Sequence, residues 1–306
     1  MSSQKIVFIV GPTAVGKSEL GLELARDFNG EIISCDSMQV YKEVVIASNK
    51  PSAKILKRIP HHCLDLVSVC EEFNVQKYHQ HALQAIAQIH DRRKVPFVVG
   101  GSGLYMEVLL DGIFPDAGKD PGVREELERR VQKEGLQKLH KELVKVDPES
   151  AQQIHEHDHR RIIRALEVYS TTRTPISVLK QQREGLWGKF TISIFALNTD
   201  REQLYAKINE RVDAMFERGI VDEVKSCQGI GISATAQGLI GIKEVLSYLR
   251  GECDLEKAKF LMKQNTRRFA KRQLTWLRRD ERVRWMNISK EKDIKTVYEE
   301  IKGDIK

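Results

Sequence analysis

Although 41% of its 306 residues are hydrophobic, the chain has no long apolar run. None approaches the roughly 18 to 20 residues that span a bilayer, so a soluble protein without a membrane partner is expected. The opening MSSQKIVFIV passes straight into a glycine loop and lacks the longer apolar segment and small-residue cleavage site of a secretory leader. A cytoplasmic enzyme is the expectation. The five cysteines, Cys35, Cys63, Cys70, Cys227 and Cys253, are odd in number and form no CxxC pair. Neither a disulfide framework nor a zinc ribbon is indicated, and most of the cysteines are expected to be ordinary buried thiols. Internal repeats and low-complexity segments are also missing. Basic residues are in excess: 50 Lys and Arg against 43 Asp and Glu give a net charge of +7. The resulting pI near 9.0 favours a polyanionic partner, although proteins that bind nothing large also show such a balance.

Three apolar runs, KIVFIV (5–10), EIISCD (31–36) and VPFVVGG (95–101), read as buried parallel strands. Between the first two, Leu20, Leu24 and Phe28 fall at helical spacing. Alternation of strand and helix argues for a parallel sheet covered by helices on both faces, and the length suggests about two domains. From Pro115 the pattern becomes helical and densely charged, without a convincing strand. The expected organisation is therefore a first core segment (1–114), an all-helical insertion (115–189), and a second core segment (190–306) with a basic C-terminal helix. In that last segment FTISIFAL (190–197) and RVRWMNIS (282–289) offer further strands.

Residues 11–18, GPTAVGKS, fit GxxxxGK[ST] between a predicted strand and a predicted helix, the context this phosphate-binding motif requires. Across Gly11, Pro12, Thr13, Ala14, Val15 and Gly16 the two glycines let the backbone curl, so that the N–H groups of the residues other than proline turn inward at a helix N-terminus. Lys17 adds a cation, and Ser18 a hydroxyl for phosphate or magnesium. Backbone donors do not discriminate what the phosphates carry, so donor and leaving-group roles both remain open. Asp36 follows the second strand at the carboxyl edge, where open parallel sheets bind ligands, and can hold a metal, take a proton, or serve only as a helix cap or structural hydrogen-bond acceptor. GGSGLY (100–105) puts Ser102 on the same edge, while PHH (60–62) places His61 and His62 in a loop, as site or structural residues.

GPTAVGKS, DSMQVY, PHHCLD, GGSGLY, RRIIRALEV, TPIS, RVDAMFERGIVDEV and TRRFAKRQLTWLRR together resemble, in order and over nearly the whole chain, the family of tRNA dimethylallyltransferases. The resemblance implies an α/β fold: a P-loop nucleoside triphosphate hydrolase-like parallel sheet with helices on both faces, plus an all-helical insertion domain. It also implies transfer of a dimethylallyl group from dimethylallyl diphosphate to the exocyclic amine of the adenosine just 3′ of the anticodon, with pyrophosphate leaving. By family position, Asp36 is the base, Ser102 lies near the adenine, and Thr13, Lys17, Ser18 and Arg211 meet the diphosphate. Mg2+ is the implied cofactor, with Ser18 as its ligand. The tRNA anticodon stem-loop would be met by Asp36, Ser37, Met38, Gln39, Ser102, Arg124, Arg160, Arg161, Arg164, Arg268 and Arg272, and a monomer is expected. AQGLIGIKE (236–244) resembles another tRNA-facing stretch of the family.

On the terminal basic segment, Arg268 and Arg272 share one helix face, whereas Phe269, Gln273 and Leu277 form a packing face. HEHDH (155–159) falls one residue short of the HxHxDH metallohydrolase spacing, so helix capping or an RNA contact is expected there instead of metal. The chain departs from the family in KEVVIASNKP after DSMQVY, in HEHDH where HPND is usual, and in QGLIGI where QAIGY is usual. Rival readings are an adenylate isopentenyltransferase acting on free nucleotide, a small-molecule kinase, and a non-catalytic RNA-binding protein.

Overall fold

A computed structural model describes residues 4–114, 120–289 and 293–305. Its first element, β1 (Lys5–Val10), is buried from Ile6 onward. Successive side chains alternate faces, so Val7 and Ile9 meet Leu20 and Leu24 of α1 (Lys17–Asp27), while Ile6, Phe8 and Val10 point the other way. Burying each such aliphatic side chain stabilises the fold by roughly 1.5–3 kcal/mol. β2 (Gly30–Cys35), α2 (Ala53–Leu56), β3 (His61–His62), α3 (Val75–Asp91), β4 (Val95–Gly100) and α4 (Gly103–Asp111) follow.

After α5 (Pro121–Glu134), α6 (Leu136–Val146), α7 (Pro148–Gln153), α8 (His159–Thr172) and α9 (Ile176–Gln181), the chain re-enters the sheet as β5 (Thr191–Thr199). The final elements are α10 (Arg201–Glu217), α11 (Ile220–Ile230), α12 (Ala234–Gln237), α13 (Ile242–Leu249), α14 (Leu255–Leu277), β6 (Arg284–Ile288) and α15 (Ile294–Ile305). The six strands are all parallel, in the order β3-β2-β4-β1-β5-β6. From β1 the chain crosses to β2, and β4 later fills the gap, so direction reverses around β1 and opens a crevice at the carboxyl edge.

Two compact units are present: Met1–Leu109 with Trp187–Lys306, and Leu110–Leu186. The second is wholly helical among its described residues and packs around Leu127, Leu139, Leu143, Ile162, Ile163 and Leu166. The starts of α5, α7 and α8 are fixed by carboxylates. Asp120 accepts from the Gly122 and Val123 N–H groups, and Asp158 from Arg161 N–H. Asp147, 2% exposed, accepts from Ser150 N–H and from both the N–H and hydroxyl of Ser177, tying α7 to α9. Burial alone would raise the Asp147 carboxyl, but these hydrogen bonds outweigh it and hold the group below its ordinary value. The segment also enters and leaves at one place: a methyl group on Gly185 would lie 2.0 Å from the Leu110 carbonyl oxygen, and one on Gly112 would lie 2.4 Å from that of Glu184.

PHH is not a loop. His61 and His62 pair in parallel with Ile32 and Ile33, forming the edge strand. Ile32 N–H donates to Pro60 O, and His62 Nε2 lies 2.7 Å from Glu31 Oε2. Glu31, 2% exposed, also holds Arg92 and Lys94, so the histidine joins the partners of a buried carboxylate at the amino end of β2 and lies away from the carboxyl edge. Burial lowers the affinity of His61 for its proton, and its Nδ1 contacts Ile59 O at 2.8 Å.

Candidate active site

Strand register assembles the site. Val10 and Cys35 both pair with Gly100, so β1, β2 and β4 end level and release Gly11, Asp36 and Gly101–Ser102 side by side. Gly11 has φ +144° and lies so near β5 that a Cβ would be 2.6 Å from Leu197 O; Gly16 has φ +102° at the start of α1. Both positions require glycine, and between them Ala14 holds the strained value of 65°.

Around this loop two cations converge. Lys17 is half-buried and donates to Pro12 O at 2.6 Å. Arg211, on α10, donates through Nη1 to Thr13 Oγ1 at 3.0 Å. Burial, followed by the Arg211 charge, pulls the Lys17 ammonium down to about 8, with Asp36 opposing. Burial likewise lowers Arg211, again against the field of Asp36. Among the described residues neither cation has an ion-pair partner. Two desolvated positive charges without a carboxylate in contact leave a strong field for a polyanion.

Opposite them, Asp36 Oδ1 accepts from Met38 N–H at 2.8 Å, closing a turn, while Oδ2 accepts no hydrogen bond among the described residues. Ser102 donates its N–H to Cys35 O and accepts from Ser37 N–H at 3.1 Å through Oγ, which clips the β2 and β4 ends together. Gln39 accepts from Ser34 Oγ at 2.7 Å and donates to Ser48 O, so its amide is engaged inside the chain at both ends. Burial raises the Cys35 thiol to about 12, which makes it a packing group and no nucleophile. Beneath the edge lies a small apolar void lined by Val10, Cys35, Met106 and Leu277.

Gln273 is a site residue that the sequence did not disclose. Its position in the helical pattern marked it as inward-facing, but the pattern says nothing of its partners, Thr13 N–H and Gly101 O, each at 2.9 Å. On the opposite face of α14, Arg268, Lys271 and Arg272 are exposed, and Arg272 lies over the Phe269 ring at 5.7 Å. Glu244, in the AQGLIGIKE stretch, is buried and accepts from Gly241 N–H and Asn265 Nδ2, both at 2.7 Å.

Within the insertion, Arg160 and Arg161 are exposed on α8. Arg164 pairs with the fully buried Glu167 at 3.0 Å, and Arg124 approaches the same oxygen at 3.7 Å. Of the HEHDH residues, Asp158 caps α8, and His159 pairs with Glu128 at 2.9 Å. Among the described residues no group of three or more His, Cys, Asp or Glu could hold a metal ion. The exposed Ser18 hydroxyl and the Asp36 carboxylate are oxygen donors, which suit a hard cation.

The family model described as IPP transferase matches residues 39–280. The chain belongs to the IPP transferase family. IPP transferase relatives include the tRNA dimethylallyltransferases of Carboxydothermus hydrogenoformans, 44% identical over 94% of this chain and 94% of that protein, and of Halothermothrix orenii, 43% identical over 97% and 91%. The solved full-length tRNA isopentenylpyrophosphate transferase of Bacillus halodurans is similar at 39% identity with a TM-score of 0.73, covering 99% of this chain and 95% of that one. A eukaryotic dimethylallyltransferase acting on tRNA is similar at 31% identity with a TM-score of 0.83, covering 98% and 78%. The α/β sheet of this IPP transferase is accordingly that of the solved family members. Among the described residues no helix is long and apolar enough to cross a membrane.

Proposed function

We propose that this enzyme transfers a dimethylallyl group from dimethylallyl diphosphate to the exocyclic amine of the adenosine immediately 3′ of the anticodon in tRNA, releasing pyrophosphate. The observation that carries the reading is the pair of ion-pair-free cations, Lys17 and Arg211, converging on the glycine loop with Asp36 opposite. Relatives named as tRNA dimethylallyltransferases support dimethylallyl transfer to tRNA. As the allylic carbon–oxygen bond breaks, charge accumulates on the pyrophosphate. The loop N–H groups, Lys17 and Arg211 stabilise that charge more than they stabilise the intact donor. The amine nitrogen forms the new bond to carbon and gives up a proton, which the free Oδ2 of Asp36 accepts. Ser102 holds the loop that carries Asp36 and borders the adenine.

Mg2+, held by Ser18 with the donor's own oxygens, would neutralise part of the leaving-group charge. On the RNA side, Arg268 and Arg272 meet phosphates from α14, with Arg124, Arg160, Arg161 and Arg164 of the insertion serving the anticodon stem-loop. The enzyme works as a cytoplasmic monomer in this reading. Incubation of an unmodified tRNA transcript with enzyme and dimethylallyl diphosphate, followed by nucleoside mass spectrometry, tests it. One prenylated adenosine beside the anticodon is the expected product. Wild-type-like single-turnover transfer by Asp36→Asn at saturating substrates would refute the base role.

A further inference from the structure

Helix α14 presents two faces of unlike chemistry. Arg268, Lys271 and Arg272 are exposed, whereas Ala270, Gln273 and Leu277 are buried. A primary amide inside a packed face is costly unless both of its ends are hydrogen-bonded. Gln273, 7% exposed, meets that requirement with two backbone groups and no side chain. Its Oε1 accepts from Thr13 N–H at 2.9 Å, and its Nε2 donates to Gly101 O at 2.9 Å. One amide therefore stitches together the loops that leave the neighbouring strands β1 and β4. The fit is tight, since a Cβ at Gly101 would lie 2.2 Å from Nε2 and 2.9 Å from Gly11 O.

Thr13 is consequently held at two atoms. Its N–H turns to Gln273, and its hydroxyl accepts from Arg211. These two hydrogen bonds tether the glycine loop at Thr13 and oppose its movement toward or away from a bound anion. The Gly101 carbonyl, held in the same grip, directly precedes Ser102, which closes the turn beside Asp36. The separation between the cationic loop and the carboxylate side of the cleft, set first by strand register, is thus tied a second time by this glutamine.

We propose that Gln273 is a positioning residue for the donor site, fixing the glycine loop against the β4–α4 turn so that the diphosphate end and the Asp36–Ser102 end keep one separation. It deepens the prenyl-transfer reading and rests on it. Gln273 touches no reacting atom; it acts through Thr13 and Gly101.

The test uses the full chain with inorganic pyrophosphate as the probe for calorimetry, and single-turnover transfer to tRNA as the second readout. Gln273→Met keeps the length of the side chain and removes both hydrogen bonds. It should weaken pyrophosphate binding and slow transfer at saturating substrates, each by about tenfold or more, with tRNA affinity held within about twofold. Gly101→Ala, which displaces the amide sterically, should move both readouts in the same direction. In the unliganded wild type, the Thr13 amide should exchange its proton slowly, and in Gln273→Met quickly.

A folded Gln273→Met enzyme with only a lower melting temperature, and wild-type affinity and rate, would overturn the proposal. Should that variant not fold, unprotected exchange at Thr13 in the wild type would overturn it equally. Failure of the wild type to bind pyrophosphate or to prenylate tRNA would instead overturn the donor-site reading and this inference with it. Wild-type activity with an indifferent Gln273→Met would remove the inference alone.

Discussion

Diphosphate binding should weaken in mild alkali because Lys17 loses its proton there. Burial and Arg211 bring its ammonium down to about 8 in the free protein. An arriving diphosphate supplies the missing counter-charge and drives the group back toward its ordinary range. At pH 7 roughly nine-tenths of free enzyme carries the charge, and at pH 9 only about one-tenth does. If only the ammonium form binds, the dissociation constant for pyrophosphate rises about tenfold between those values, equivalent to about 1.4 kcal/mol. Binding at pH 9 should also draw about 0.9 proton from the buffer, against about 0.1 at pH 7.

Calorimetry in two buffers of different ionisation enthalpy measures that uptake directly. The ratio of wild type to Lys17→Met cancels the titration of pyrophosphate itself. A flat ratio, or proton uptake equal in both proteins, would refute the argument. The same shift has a folding consequence of definite sign. Between about 8 and the unfolded value of 10.5 the unfolded chain binds more protons, so stability rises with pH across that window. In Lys17→Met this contribution should disappear from a comparison of melting temperatures.

Three further perturbations follow from geometry. Arg268→Ala and Arg272→Ala should each weaken tRNA binding and flatten its salt dependence by roughly one phosphate contact, with pyrophosphate affinity unchanged; equal damage to both ligands in filter-binding and calorimetric titrations would argue against a separate RNA face. Glu223 accepts the N–H groups of Val45, Ile46 and Ala47, so Glu223→Gln should cost about 2 kcal/mol in urea unfolding and speed proteolysis at that loop; an unchanged midpoint would mean that the loop holds itself. Gly100→Ala would put a methyl group 2.1 Å from Cys35 O inside the sheet, and its destabilisation should exceed about 4 kcal/mol; a folded variant with a normal melting temperature would contradict the register described here.

What could be read from sequence was what is local. A glycine loop between a strand and a helix declares itself in eight residues, and short runs rich in apolar residues mark β1, β2 and β4 without reference to anything distant. Residues whose roles depend on remote partners stayed hidden. His61 and His62 form a strand too short to show alternation, recruited by Glu31 from the adjacent strand through its ion cluster. Gln273 fell on the inward face of its helix as periodicity requires, yet its partners lie 260 and 172 residues away. The departure from family sequence after Tyr41 likewise has a distant answer, because the anchor for residues 45–47 is a carboxylate on α11.

The neighbouring entry and exit of the helical segment, Leu110 beside Gly185 and Gly112 beside Glu184, bear on how such a chain is built up. A module whose two ends meet can be gained, traded or deleted through one junction without re-threading any strand. Loop closure grows only as the logarithm of length, so a large passenger costs the host little more than a small one. The catalytic scaffold and the segment that accompanies it are thereby free to diversify at different speeds.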